Sequence, residues 1–168
     1  MSYGHGISVT LIQLARSYLA FARDGDLVPL SLERVDVPPL SGKPVFSAQT
    51  AREVRAMLEM VVQPGGTAPK AQIPGYRVAG KTGTAWKATA GGYSTDKYLS
   101  VFAGVVPASR PRLAVVVMVD EPGGALYYGG DVAAPVFSEV VAGALRLMSV
   151  APDDLERVAP VTLAEAAP

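Results

Sequence analysis

The chain has 168 residues, 49% of them apolar and 18% charged, with 15 basic side chains against 15 acidic ones, no cysteine, and His5 as its only histidine. That balance suits one packed domain and excludes global disorder, while zero net charge with scattered Lys and Arg leaves no electrostatic footprint for a nucleic acid or an anionic membrane. A disulfide framework, a thiolate or histidine-rich metal site and a Ser/His/Asp triad are excluded in the same way. The longest apolar run, Leu113 to Val119, is too short to cross a bilayer. Met1 to Gly6 lacks the basic-then-apolar order of a signal peptide, so the chain is expected to be soluble.

In chain order, Ser8 to Arg23 predicts a helix: Leu11, Leu14, Ala15, Tyr18 and Ala22 share a face, Thr10 and Gln13 are spaced as a capping box, and Gly25 is placed to end it. Leu27 to Val37 is rich in Leu and Val, but Pro29, Pro38 and Pro39 limit it to one short strand or a loop. Ser47 is a good N-cap for a second helix with Val54, Met57, Leu58 and Val61 at helical spacing, stopped by Pro64, Gly65 and Gly66. The period then changes, and three strands are predicted at Arg77 to Trp86, Tyr98 to Val106 and Leu113 to Val119. The turn at residues 107–111 is too short for a parallel crossover, so an antiparallel meander follows. A Gly- and Tyr-rich loop from Pro122 to Asp131 leads into a third helix, with Pro135 near its first turn and an apolar face wide enough to lie flat on the sheet. Beyond residue 148 the Ala-, Pro- and acid-rich stretch 149–168 is expected to be a disordered tail. The fold class is therefore α+β, an antiparallel sheet packed with helices.

Two motifs compete for the same residues. Gly75 to Thr82 satisfies a phosphate-binding P-loop pattern, and Leu113 to Val119 with Asp120 mimics the acidic strand that accompanies it. A phosphate cradle needs a strand before the glycines and a helix N-terminus after the Lys-Thr pair. Here Thr67 to Pro74 carries two prolines and no strand pattern, and Gly83, Gly91 and Gly92 follow instead of a helix. The other reading places Lys81-Thr82-Gly83-Thr84 on a strand whose glycine lets a ligand lie against the backbone, and this fits the neighbours.

Several further strings accompany it: Ser2 to Gly6 with Val9, Thr10 and Gln13 to Ala15; Gly80 to Ala85; Phe102 to Ala108; Asp120 to Pro122; Tyr127 to Gly130; and Ala134 to Phe137. Together they resemble the C-terminal part of the transpeptidase domain of class B penicillin-binding proteins, nearest the division-specific peptidoglycan D,D-transpeptidases of Gram-negative bacteria. The likeness runs from Ser2 to about Asp153, and assigns residues 1–148 to that domain. It implies a penicillin-binding/β-lactamase-like fold in which Ser-x-x-Lys, Ser-x-Asn and Lys-Ser/Thr-Gly meet in one cleft. Only the third motif is expected here, since the chain has no asparagine, and Ser94-Thr95-Asp96-Lys97, though it matches Ser-x-x-Lys, lies after the Lys-Thr-Gly strand in a polar turn. The isolated chain is accordingly expected to be inactive.

The resemblance implies that Lys81 attracts the terminal carboxylate of a D-Ala-D-Ala stem peptide or of a β-lactam. Thr82 and Thr84 offer it hydroxyls, the Thr84 N–H is one oxyanion donor, and Gly83 lets substrate pair along the strand. Tyr127 and Tyr128 match aromatics that wall the cleft, and Trp86 stands where many relatives carry a basic residue. The resemblance implies no metal and no nucleotide cofactor. It also implies a parent enzyme anchored by an N-terminal segment on the periplasmic side of the inner membrane, with cell-division proteins as partners. A non-catalytic fragment complementing another chain, and a P-loop NTPase, are the alternative readings. A sheet short of its first strands is expected to self-associate.

Overall fold

The computed structural model describes residues 7–155. Helix α1 spans Leu11–Ala22, and the expected capping box is formed: Gln13 N–H donates to Thr10 Oγ1 at 3.2 Å and Thr10 N–H to Gln13 Oε1 at 2.8 Å. The helix thus begins later than the apolar pattern suggested, because the cap takes the chain into extended backbone at Thr10. Two two-residue strands, β1 (Asp26–Leu27) and β2 (Lys43–Pro44), pair antiparallel across the proline-rich stretch. Helix α2 (Ala48–Glu59) starts at the Ser47 cap, with Thr50 N–H donating to Ser47 Oγ at 3.0 Å, and tightens into a 3-10 turn, Met60–Val62.

The meander is present in the order β3 (Ala79–Thr89), β4 (Gly92–Val106), β5 (Leu113–Asp120), all antiparallel. β3 and β4 run longer than the sequence suggested. Their outer arms are polar and solvent-facing, so they carry no apolar alternation; the register breaks between Trp86 and Ala88, with residues 94–97 of β4 outside it, and resumes at Ala88 and Tyr93 to reach the turn at Thr89 and Gly92. Central β4 is buried on both faces from Phe102 to Val106.

Helix α3 spans Gly129–Leu147, starting six residues before Pro135. Pro135 therefore stands inside the helix, where its missing N–H removes one helical bond to the Asp131 carbonyl. The two leading glycines read as loop in sequence; they are needed for contact, since a Cβ on Gly129 would lie 2.3 Å from the Val101 carbonyl oxygen, and one on Gly130 2.0 Å from that of Thr67. α3 does lie on the sheet, but through a narrower stripe than expected: Ala133, Ala134, Phe137, Val141 and Leu145 are buried, while Val136, Val140 and Leu147 stay exposed. Phe137 meets Phe102 edge-to-face at 4.8 Å, and both join a core with Val62, Ile73, Val78, Val106 and the inner side chains of β5. The opposite sheet face is covered near Ala79, Val105 and Ala108 by Tyr18, Ala22 and Leu58.

Residues 149–155, expected to lack order, are held in place. Asp153 accepts from Arg77 N–H at 2.8 Å and Ser109 N–H at 3.1 Å, and Tyr76 donates to the Val150 carbonyl at 2.6 Å. Three hydrogen bonds outweigh a composition that carries no periodic signal. The remainder of that expectation, 156–168, lies outside the described residues, as do Ser2 to Gly6 and His5.

Candidate functional site

Strand β3 is at the edge of the sheet, so the backbone of Lys81 to Ala85 pairs with β4 on one side only. Pleating sends alternate side chains to opposite faces. Lys81, Gly83 and Ala85 face the α1 side, where Leu14, Tyr18, Val101 and Met118 help to line a hollow of about 480 Å³. Burial in that wall raises the Tyr18 phenol above its ordinary 10.0. Thr82, Thr84 and Trp86 turn to the α3 side, level with Phe102, Ser100 and Tyr98 on β4.

The Lys81 ammonium curls over Thr82, donating to its carbonyl at 3.0 Å and its Oγ1 at 3.2 Å, while Thr82 Oγ1 lies 3.1 Å from Thr67 Oγ1. An ammonium and two hydroxyls thereby meet at one point of the exposed edge. Lys70, Lys87 and Lys97 are each held by carboxylates, whereas Lys81 enters none of the ion pairs among the described residues. Its charge remains available for an incoming anion. Two residues on, Thr84 Oγ1 accepts the Gly129 N–H at 3.0 Å, using its oxygen to close the first turn of α3 and leaving its O–H free to turn.

Past Thr84 the same face becomes aromatic. Trp86 packs on Tyr98 with ring centres 4.4 Å apart, Tyr98 stacks on Tyr127 at 4.1 Å and 13°, and Tyr127 meets Tyr128 at 4.5 Å. Buried Ser100 donates to the Tyr127 carbonyl, tying this loop to β4 beneath the motif. The hydrogen bond with Tyr127 raises the Tyr128 phenol above its ordinary 10.0. Beyond the rings, Lys87 reaches both oxygens of Asp120 at 2.9 Å and Glu121 at 2.6 Å, and Lys97 reaches Glu121 at 3.0 Å. Those bonds raise the Lys87 ammonium and lower the Glu121 carboxyl from their ordinary values.

Of the six residues singled out for binding or catalysis, Lys81, Thr82, Gly83 and Thr84 lie on the free edge of β3, and Tyr127 and Tyr128 lie in the loop whose rings stack on Tyr98 beside it. Thr67, Ser100 and Tyr98 were not foreseen. Tyr98 had a signal, its place opposite Trp86 on the paired strand, whereas Thr67 sits in a turn that no local pattern connects to β3.

The P-loop alternative does not survive this geometry. Lys81 and Thr82 lie inside a strand rather than before a helix N-terminus, and Asp120 is engaged by Lys87. Ser94 is likewise no activated nucleophile: its Oγ donates to Asp96 at 2.8 Å and accepts Lys97 N–H, while the Lys97 ammonium points to Glu121. It falls within the span of β4 but in the irregular stretch 94–97, outside the β3 register, where its Oγ also accepts the Asp96 N–H.

Residues 1–142 match the family model of the penicillin-binding protein transpeptidase domain. The chain belongs to the penicillin-binding protein transpeptidase family. Among relatives of this transpeptidase segment, the peptidoglycan D,D-transpeptidase FtsI of Escherichia coli is 47% identical over 92% of the chain and 26% of its own length. A probable peptidoglycan D,D-transpeptidase of Pseudomonas aeruginosa is 46% identical over 93% of the chain and 27% of its own length. The apo TP domain of Burkholderia pseudomallei penicillin-binding protein 3 superposes with a TM-score of 0.82 at 51% identity, covering 91% of the chain and 46% of that domain. The chain thus spans about a quarter of the curated relatives' length and just under half of the solved transpeptidase domain. No helix among the described residues is long and apolar enough to cross a membrane.

Proposed function

We propose that this chain is the carboxylate-anchoring portion of a serine-type peptidoglycan D,D-transpeptidase that cross-links stem peptides during septal wall synthesis and is acylated by β-lactams. The observation that carries it is the Lys81, Thr82 and Thr67 cluster on the free edge of β3, in a chain of this family. Lys81 and the Thr82 hydroxyl receive the terminal carboxylate of a D-Ala-D-Ala stem peptide through charge-assisted hydrogen bonds. Gly83 admits the substrate backbone along the unpaired edge, and the Thr84 N–H donates to the carbonyl oxygen as it gains charge. The attacking serine, supplied by a part of the enzyme outside this chain, displaces D-Ala and forms an acyl ester; an amine of a neighbouring stem peptide then takes the acyl group and frees the serine. The parent works on the periplasmic side of the inner membrane beside cell-division proteins. In the alternative arrangement this chain complements a separate polypeptide that holds the serine, and the apolar hollow beside Lys81 and the unpaired edge of β5 favour such a neighbour in either case.

Fluorescent penicillin separates these readings. The isolated chain remains unlabelled, and covalent labelling appears when the remainder of the transpeptidase domain is supplied. Labelling of the chain by itself, abolished by Ser94→Ala, would overturn the proposal.

A further inference from the structure

Ser100, on β4, is 0% exposed, and Ser100 and Arg55 are the buried polar or charged side chains among the described residues. A hydroxyl taken out of water costs free energy unless it is bonded, and alanine would fill the same place without that cost. Its single proton goes to the Tyr127 carbonyl.

That bond is one of two that run from the sheet to the start of α3. Ser100 stands directly opposite Thr84 in the register of β3 and β4, and Thr84 Oγ1 accepts the Gly129 N–H at 3.0 Å. Two facing hydroxyls therefore grip Tyr127 and Gly129, two residues apart. Local sequence supplies little of this hold. Tyr128, at the N-cap position, makes no side-chain cap, and in the preceding loop a Cβ on Gly123 or Gly124 would meet nothing within 4 Å.

What the grip seats is Gly129. A Cβ there would lie 2.6 Å from the Gly83 carbonyl oxygen, so the start of α3 rests on the peptide unit that joins Gly83 to Thr84. In a planar peptide the C=O and the N–H turn together. Backbone pressed against the Gly83 oxygen thus fixes the direction of the Thr84 N–H.

We infer that Ser100 is a positioning residue: through the Tyr127 carbonyl it seats Gly129 on the Gly83–Thr84 peptide and holds the Thr84 N–H toward the substrate carbonyl oxygen that gains charge. This rests on the transpeptidase reading of the β3 edge, and the test separates the two. Lys81 bonds to Thr82 and Thr82 to Thr67, none of them to Ser100, so capture of the substrate carboxylate does not pass through Ser100.

In a complete transpeptidase carrying this segment, acylation by a fluorescent penicillin is followed at increasing concentration, which resolves the binding constant from the rate constant of acylation. Ser100→Ala lowers the rate constant about three- to tenfold, the kinetic equivalent of one neutral hydrogen bond. The binding constant and the final labelled fraction stay at their parental values, as expected for an interaction made only in the transition state. Ser100→Cys, which keeps a weaker donor, falls between. Amide exchange on the same enzyme is faster at Gly129 in Ser100→Ala. A parental rate constant, a loss confined to the binding constant or to the labelled fraction, or unchanged exchange at Gly129 overturns the positioning role. If Lys81→Ala acylates at the parental rate while Ser100→Ala still lowers the rate constant, the carboxylate-anchoring reading fails and the positioning role stands.

Discussion

Thr84 illustrates how one residue serves two ends of the site. Its backbone lies on the free edge while its Oγ1 caps the first N–H of α3 at Gly129, so the side chain determines where the Tyr127 and Tyr128 loop is delivered. Thr84→Val leaves that partly buried N–H unsatisfied, and should destabilise the chain by about 1 kcal/mol in urea unfolding, with Thr84→Ser near neutral. Gly130→Ala acts from the other direction. The new methyl meets the Thr67 carbonyl oxygen, a backbone atom that cannot turn aside, and overpacking of this kind costs about 1 to 3 kcal/mol. In a complete transpeptidase carrying this segment, Lys81→Ala should slow β-lactam acylation roughly ten- to a hundredfold, the kinetic equivalent of one lost hydrogen bond to a charged group, with little change in melting because the ammonium is exposed. Acylation at the parental rate would return Lys81 to an ordinary solvated lysine.

At the scale of elements, the loop between β1 and β2 is tied back by the Arg23–Asp26 pair, with Arg23 Nη2 also donating to the Leu40 carbonyl at 3.3 Å. Asp26 accepts from Arg23 Nε at 2.7 Å and from Gly42 N–H at 2.6 Å, and these bonds, Arg23 first, lower its carboxyl below the ordinary 3.8. A group depressed in the folded state stabilises it above its unfolded pKa and loses that contribution as pH falls through the folded value. The 28–42 loop should therefore gain amide exchange only below about pH 3.8, and Asp26→Asn should show the loosened loop at neutral pH. A loop whose protection is indifferent to both changes would mean that its prolines, not Asp26, hold it. Helix α3 carries a different lesson at this scale. Pro135 is favourable at a first turn, but contact between two glycines and the backbones of β4 and Thr67, together with the Thr84 cap, starts the helix at Gly129. Local preference yielded to a tertiary contact worth more than one missing helical bond.

For the whole molecule, the unpaired edge of β5 is the main liability. Leu113 to Val119 is apolar, and among the described residues its outer N–H and C=O groups have no strand beside them in the sheet order β3, β4, β5. Edges of this kind pair with other chains, so the chain should self-associate in sedimentation at micromolar concentration. Val116→Lys, which places a charge on that edge, should shift it toward monomer. A monodisperse parent monomer with strongly protected amides from Leu113 to Val119 would show that three strands suffice.

The sequence by itself determined the helical caps at Thr10 and Ser47, the antiparallel meander, the Lys81 to Thr84 motif on a strand and the aromatic pair before α3. Each is encoded within a few residues by hydrogen-bonding side chains or by apolar period. Only the tertiary structure decided that Thr67 joins Lys81 and Thr82, that Ser100 and Tyr98 support the Tyr127 loop, that α3 begins at its glycines and that Asp153 fastens residues thought to trail free. Those pairings span 15 to 76 residues of chain, and no local propensity records which distant backbone will come close enough to be bonded.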